Sequence, residues 1–177
     1  MKYYKLFLLP LALLLLLPNA SFANRCAVST TKAEFARADA VFSGEVVAQE
    51  SRDAELAMAD DQRKSKVRIT ATEFKVKNYW KGAGEKSLFL IDYQYGEQTN
   101  ALYPLRRIFP FEINQSYLVY AYEFQNALQA AGRCTRTKLL NDAVEDLKTL
   151  GNAQAPTKTI NKTLSEVLTE FIDKWNN

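Results

Sequence analysis

Residues 67–82, VRITATEFKVKNYWKG, alternate apolar and polar side chains, and partway along the alternation slips by one residue. Val67, Ile69 and Ala71 hold one phase, and Phe74 and Val76 hold the next. A period of two marks a β-strand with one buried face. A one-residue shift turns every later side chain to the other face, and a β-bulge produces such a shift. The stretch therefore predicts one long bulged strand, able to curve around a small barrel.

Four further strands read around it. Residues 40–49, AVFSGEVVAQ, form the first, with Gly44 as a bend or bulge. Residues 87–93, SLFLIDY, form the third and are apolar enough to be buried. Residues 116–124, SYLVYAYEF, form the fourth, and residues 127–131 the fifth. The charged stretch 50–66 reads as a long exposed loop between strands, and 94–110 as a second one. The expected class is mainly β: a five-stranded antiparallel OB-fold barrel with C-terminal helices. A two-sheet sandwich is the alternative that pattern alone leaves open.

Thr31 followed by Glu34 predicts a capping box for a short first helix. Leu139, Leu140, Ala143, Val144, Leu147 and Leu150 fall at helical spacing, with Gly151 as the left-handed cap. Residues 152–160 read as a linker around Pro156. Thr163 and Glu166 then predict a second capping box. Leu164, Val167, Leu168, Phe171, Ile172 and Trp175 make one apolar stripe behind it. Such a stripe packs on its own domain or docks to a partner.

The first 23 residues read as a secretory signal. Lys2 and Lys5 precede the apolar run Leu6–Leu17, and Ser21 and Ala23 supply small residues before a cut. The run is shorter than the roughly 20 residues a spanning helix needs, so no membrane anchor is expected after processing. Asn24-Arg25 separates the cut from Cys26, which argues against lipid attachment. Cleavage makes Asn24 the first residue and lowers the formal charge from +3 to +1, because the leader holds two lysines and no acid. Near-neutrality gives little reason to expect nucleic acid as a partner. The expected location is secreted or periplasmic. Two cysteines, Cys26 and Cys134, remain in a chain bound for an oxidising compartment. A disulfide between them is expected, with two free thiols as the alternative.

Histidine is absent, which excludes histidine acid–base chemistry and histidine metal sites. Asp60 and Asp61 are sequence neighbours rather than a catalytic pair, and no glycine-rich phosphate loop occurs. No enzyme, no cofactor and no metal site is expected. Sequons at Asn114 and Asn161 matter only in a eukaryotic secretory pathway.

The phrases ARADAVFSGEVV at 36–47, VKNYWKG at 76–82, FPFEINQSYLVYA at 109–121 and GRCTRTKLLNDAVEDLKTLG at 132–151 carry a resemblance. In their order and spacing the chain resembles the bacterial branch of the tissue-inhibitor-of-metalloproteinases-like proteins, related to the netrin module. The resemblance covers 24–151, which implies a TIMP-like OB-fold domain there and leaves 152–177 as a linker and amphipathic helix. It implies a Cys-x-Cys start, with the first cysteine bonded to a middle one and the second to the last. Here Asn24 stands at the first position, Arg107 at the middle one, Cys26 at the second and Cys134 at the last. One bridge is thus lost at both ends and the Cys26–Cys134 bridge kept.

In the family's animal inhibitors the first residue's α-amine and carbonyl clamp the catalytic zinc of the protease. The resemblance therefore implies a candidate inhibitory edge at Asn24, Arg25, Cys26 and Ala27 and a zinc metalloprotease as the protein partner. A frayed terminus is the bland alternative. Tyr93, Tyr95, Tyr103, Arg106 and Arg107 make a second candidate, a binding loop rich in the residue types found at contact hot spots. Against it stands a loop whose aromatics pack on their own domain. Trp80 reads as core. The competing function is a non-inhibitory extracytoplasmic adaptor.

Overall fold

The computed structural model describes residues 29–58, 61–95, 109–124, 127–130 and 135–177. Six strands fall within them: β1 (Ala40–Met58), β2 (Asp61–Lys81), β3 (Ser87–Tyr95), β4 (Ser116–Phe124), β5 (Ala127–Gln129) and β6 (Lys138–Leu139). The helices are α1 (Thr31–Arg37), α2 (Val144–Leu150) and α3 (Leu164–Asn176), with a 3-10 turn at Leu140–Asp142. No helix among the described residues is long and apolar enough to cross a membrane.

Hydrogen-bonded neighbours run β1-β2-β3-β5-β4-β6, and β1 also pairs with β4, from Ala40↔Ala121 to Glu45↔Ser116. Five antiparallel strands were expected. The sheet has a sixth, β6, and β3 runs parallel to β5 at Leu90↔Leu128.

The expected loop at 50–66 is wrong. β1 and β2 continue through it as one long hairpin, paired from Val41↔Lys81 to Met58↔Asp61. Its polar residues pair across the strands: Arg68 grips Asp53 at 2.9 and 3.2 Å, and Ser51 meets Thr70 at 2.8 Å. Exposed pairs of this kind add little each. Apolar burial under α3, which covers the other face, contributes more. Leu56, Val67 and Ile69 are buried with Leu168 and Phe171 of α3. Trp175 Nε1 donates to the Ala57 carbonyl at 2.8 Å, and the Ala57 N–H donates to Asn176 Oδ1 at 3.2 Å. Arg52 reaches Thr169 and Ser165 at 3.1 and 3.0 Å.

β2 is a long bulged strand, as expected, with an extra residue against β1 at Lys77 and another at Trp80, but the slip between Ala71 and Phe74 is not one of these bulges. β2 pairs with β3 without a break from Val67↔Tyr95 to Lys75↔Ser87, so no bulge lies between them. Val67, Ile69 and Ala71 face α3, whereas Phe74 and Val76 face the opposite way, into a core with Phe42, Leu90, Phe111 and Val119. The strand exchanges its buried face midway. β1 makes the same exchange with an extra residue, Val47, between Val46↔Phe74 and Ala48↔Glu73. Phe42 and Val46 lie in the inner core, and Leu56 lies under α3. One strand changes phase and its neighbour bulges, and both send side chains to two cores on opposite faces.

β4 is buried on both faces. Tyr117, Val119 and Ala121 point into the inner core; Leu118 and Tyr120 pack with Val41 and Ala143 in a third cluster that also takes Phe35, Leu140 and Leu147. The single helix expected from Leu139 does not form. Lys138 and Leu139 pair with β4, so the chain turns through Leu140–Asp142 before α2 begins. Leu139 and Val144 are consequently exposed, Val144 at 64%. Gly151 ends α2 at a positive φ of 72°, as expected, but with ψ at −144° rather than in the left-handed helical range. Residues 152–160 are held rather than loose: Gln154 exchanges two backbone hydrogen bonds with Tyr79 at 2.8 and 2.9 Å, and Lys158 accepts from Lys86 at 2.7 Å. At α3 the Thr163–Glu166 capping box is present, and its apolar stripe is spent on its own domain.

Candidate functional site

The candidate edge Asn24, Arg25, Cys26 and Ala27 lies outside the described residues, as do Cys134, Tyr103, Arg106, Arg107 and the side chain of Tyr95. Tyr93 is not a loop contact. It sits in β3 at 8% exposure, its ring 5.2 Å from that of Trp175 and 6.3 Å from that of Phe124. The phase of β3 turns it under α3 with Ile91. Trp80 packs beside α2 and donates from Nε1 to the Gly151 carbonyl at 2.9 Å, in keeping with a structural role.

What the structure brings together is the segment that follows the candidate edge. Thr30 caps α1, its hydroxyl accepting from the Ala33 N–H at 3.2 Å. The expected box between Thr31 and Glu34 is not made, because both side chains turn inward. Thr31 donates to Asp146 of α2. Glu34 is buried and accepts from Ser29, from the Tyr122 hydroxyl of β4 and from Arg37. Asp146 is 1% exposed and holds two cations, Arg136 at 2.6 Å and Lys138 at 2.7 Å. Arg136 also donates from Nη1 to the Ser29 carbonyl at 2.8 Å. Thr137 accepts from the Tyr120 N–H at 3.0 Å, which fastens the same segment to β4.

Burial opposes ionisation of both acids. At Asp146 the hydrogen bonds from Arg136, Lys138 and Thr31 outweigh it and hold the carboxyl at about 2. At Glu34 burial is outweighed in the same direction by Ser29, Tyr122 and Arg37. Two buried anions thus tie residues 29–37 to β4, α2 and the stretch that follows position 134. Both are enclosed and fully engaged, so the capacity of the network is positional.

Asp146 and Glu34 carried a readable signal. Asp146 follows Ala143 by three and precedes Leu150 by four, on the apolar face of α2, and Glu34 shares a face with Thr31 and Ala38. An acid inside an apolar stripe calls for a buried cation or donor. The partner of each could not be read.

Tyr120 is fully buried beside this network, and among the described residues its hydroxyl has no hydrogen-bond partner. Burial, reinforced by the Asp146 carboxylate, raises its pKa and keeps the phenol neutral. A buried hydroxyl without a partner costs about 1–3 kcal/mol. Tyr120→Phe is therefore expected to raise unfolding stability by about 1 kcal/mol, measured as a higher urea midpoint at unchanged m. A lower midpoint would mean that the hydroxyl has a partner.

No protein-family model matches this chain, and no curated protein sequence matches it.

Proposed function

We propose that the chain is an exported TIMP-like protein that binds a protein partner through its processed N-terminal edge, and that it acts as an inhibitor of a zinc metalloprotease rather than as an enzyme. The observation that carries the reading is the hydrogen bond from Arg136 to the Ser29 carbonyl at 2.8 Å, backed by Thr31 on Asp146. An edge that clamps zinc must be held still, since ordering it on binding costs about 1–2 kcal/mol per residue. The family's bridge at the first residue is missing here; the buried acids do part of its work from Ser29 onward. The same contact supports a Cys26–Cys134 disulfide, because Ser29 and Arg136 follow those cysteines by three and two residues. The ring of neighbours β1-β2-β3-β5-β4 closing on β1 supports an OB-type barrel.

The test is an inhibition titration. Protein shown by intact mass to start at Asn24 with its cysteines bridged is titrated against a panel of zinc metalloproteases. A form carrying one extra residue before Asn24 is run in parallel. Inhibition by the first and not the second is expected, because metal can displace the proton of an α-amine with a pKa near 7.7–8.0, whereas the extra residue turns the Asn24 nitrogen into a peptide amide and moves the free amine out of place. Equal inhibition by both forms sinks the zinc-clamping reading.

A further inference from the structure

At the end of the sheet, between the β2–β3 turn and the β4–β5 pair, lies a cavity of about 260 Å³. That is smaller than the roughly 300–1,000 Å³ of drug-sized ligand sites and suits a single side chain. Val76, Leu88 and Leu128 give it an apolar floor continuous with the inner core. Tyr79 forms one wall. Its ring can lie there because residue 84 is glycine, at φ 78°, where an added Cβ would come within 1.8 Å of the phenol oxygen.

The rim is acidic. Asp39, Glu85 and Glu123 line it, and among the described residues none of the three is in an ion pair. Asp39 accepts the Glu123 backbone N–H at 2.7 Å, which fixes two of the acids next to each other. Lys81 is the cation of the lining, but its ammonium is turned to the Phe35 and Ala36 carbonyls at the end of α1, at 3.3 and 3.2 Å. An apolar hole under a negative rim complements an apolar group that carries a cation beside it.

We propose that this cavity seats one apolar side chain of a protein partner, with a lysine or arginine next to that side chain held by Asp39, Glu85 and Glu123. The proposal uses none of residues 24–27 and does not rest on zinc clamping, so the two readings fail independently.

The test titrates the full exported chain, by calorimetry at low salt, with the peptides acetyl-Lys-Leu-Lys-amide, acetyl-Glu-Leu-Glu-amide and acetyl-Lys-Ala-Lys-amide. The Lys-Leu-Lys peptide is expected to bind at least tenfold tighter than either of the others. The double variant E85Q/E123Q, altered only on the rim, is expected to lose that tenfold advantage over Glu-Leu-Glu. Equal binding of the three peptides, no binding of any, or an unchanged preference in the double variant would overturn the proposal. Hexylammonium is the remaining arm. Binding tighter than the peptide would assign the cavity to a free amine and overturn a protein partner.

Discussion

Asp146→Ala is expected to cost about 3–5 kcal/mol, the usual penalty for removing one member of a buried ion pair. The carboxylate is 1% exposed and neutralises Arg136 and Lys138, which are themselves only 21% and 31% exposed. Without it two cations face each other in a partly dry site, and Thr31 loses its acceptor. The measurement is urea unfolding at pH 7 of wild type and variant. The pH dependence has a definite sign. The folded pKa of Asp146 is depressed to about 2 from 3.8, so its contribution is full above about pH 4 and disappears as pH falls through 2. A shift of that size is worth about 2 kcal/mol. The gap between wild type and variant should therefore narrow from pH 5 to pH 2. Glu34, also depressed, adds acid sensitivity of the same sign in both proteins. Amide exchange at residues 29–37 should quicken in the variant, since Asp146 is their tie to α2. A variant as stable as wild type at pH 7 would show that the network holds nothing.

Phe171→Ala should be as damaging, about 3–5 kcal/mol for a large aromatic removed from a packed core. Phe171 is 3% exposed, and its ring lies 5.5 Å from that of Trp175. The informative part is where the loss appears. The far half of the β1–β2 hairpin has α3 as its apolar cover, so amide protection at 50–57 and 64–70 should fall before that at 40–46 and 116–121. Those last strands belong to the inner core around Phe42 and Val119. Val144→Ala, at an exposed position of α2, serves as the control and should change stability by less than about 0.5 kcal/mol. Uniform loss of protection across both regions would mean that the two cores unfold as one unit.

These two residues also mark the boundary of what could be read in advance. β4 falls at Ser116–Phe124, as the apolar run predicts, and α3 starts at its Thr163 cap with its stripe buried. Both signals are local: a capping box closes within four residues, and a buried run shows in its own composition. The hairpin at 50–66 could not be read, because its apolar cover comes from residues 164–176, as far off as the 118 positions between Ala57 and Trp175. The slip in β2 was visible, but its meaning was not. Whether a strand bulges or exchanges its buried face depends on what lies against each face. Tyr93 likewise has a contact residue's chemistry and a core residue's place. In the network the acids' helix faces carried a signal that went unread, and the link from Thr31 to Asp146 spans 115 positions and exists only after β4 and α2 have packed. Sequence alone determined the Thr163 cap, the stop at Gly151 and the alternation along β2, since those features are settled between near neighbours, whereas the first cap fell at Thr30 and the chain turned at Leu140–Asp142. Only the tertiary structure decided which polar groups are buried and with whom, because burial depends on surfaces brought together from distant parts of the chain.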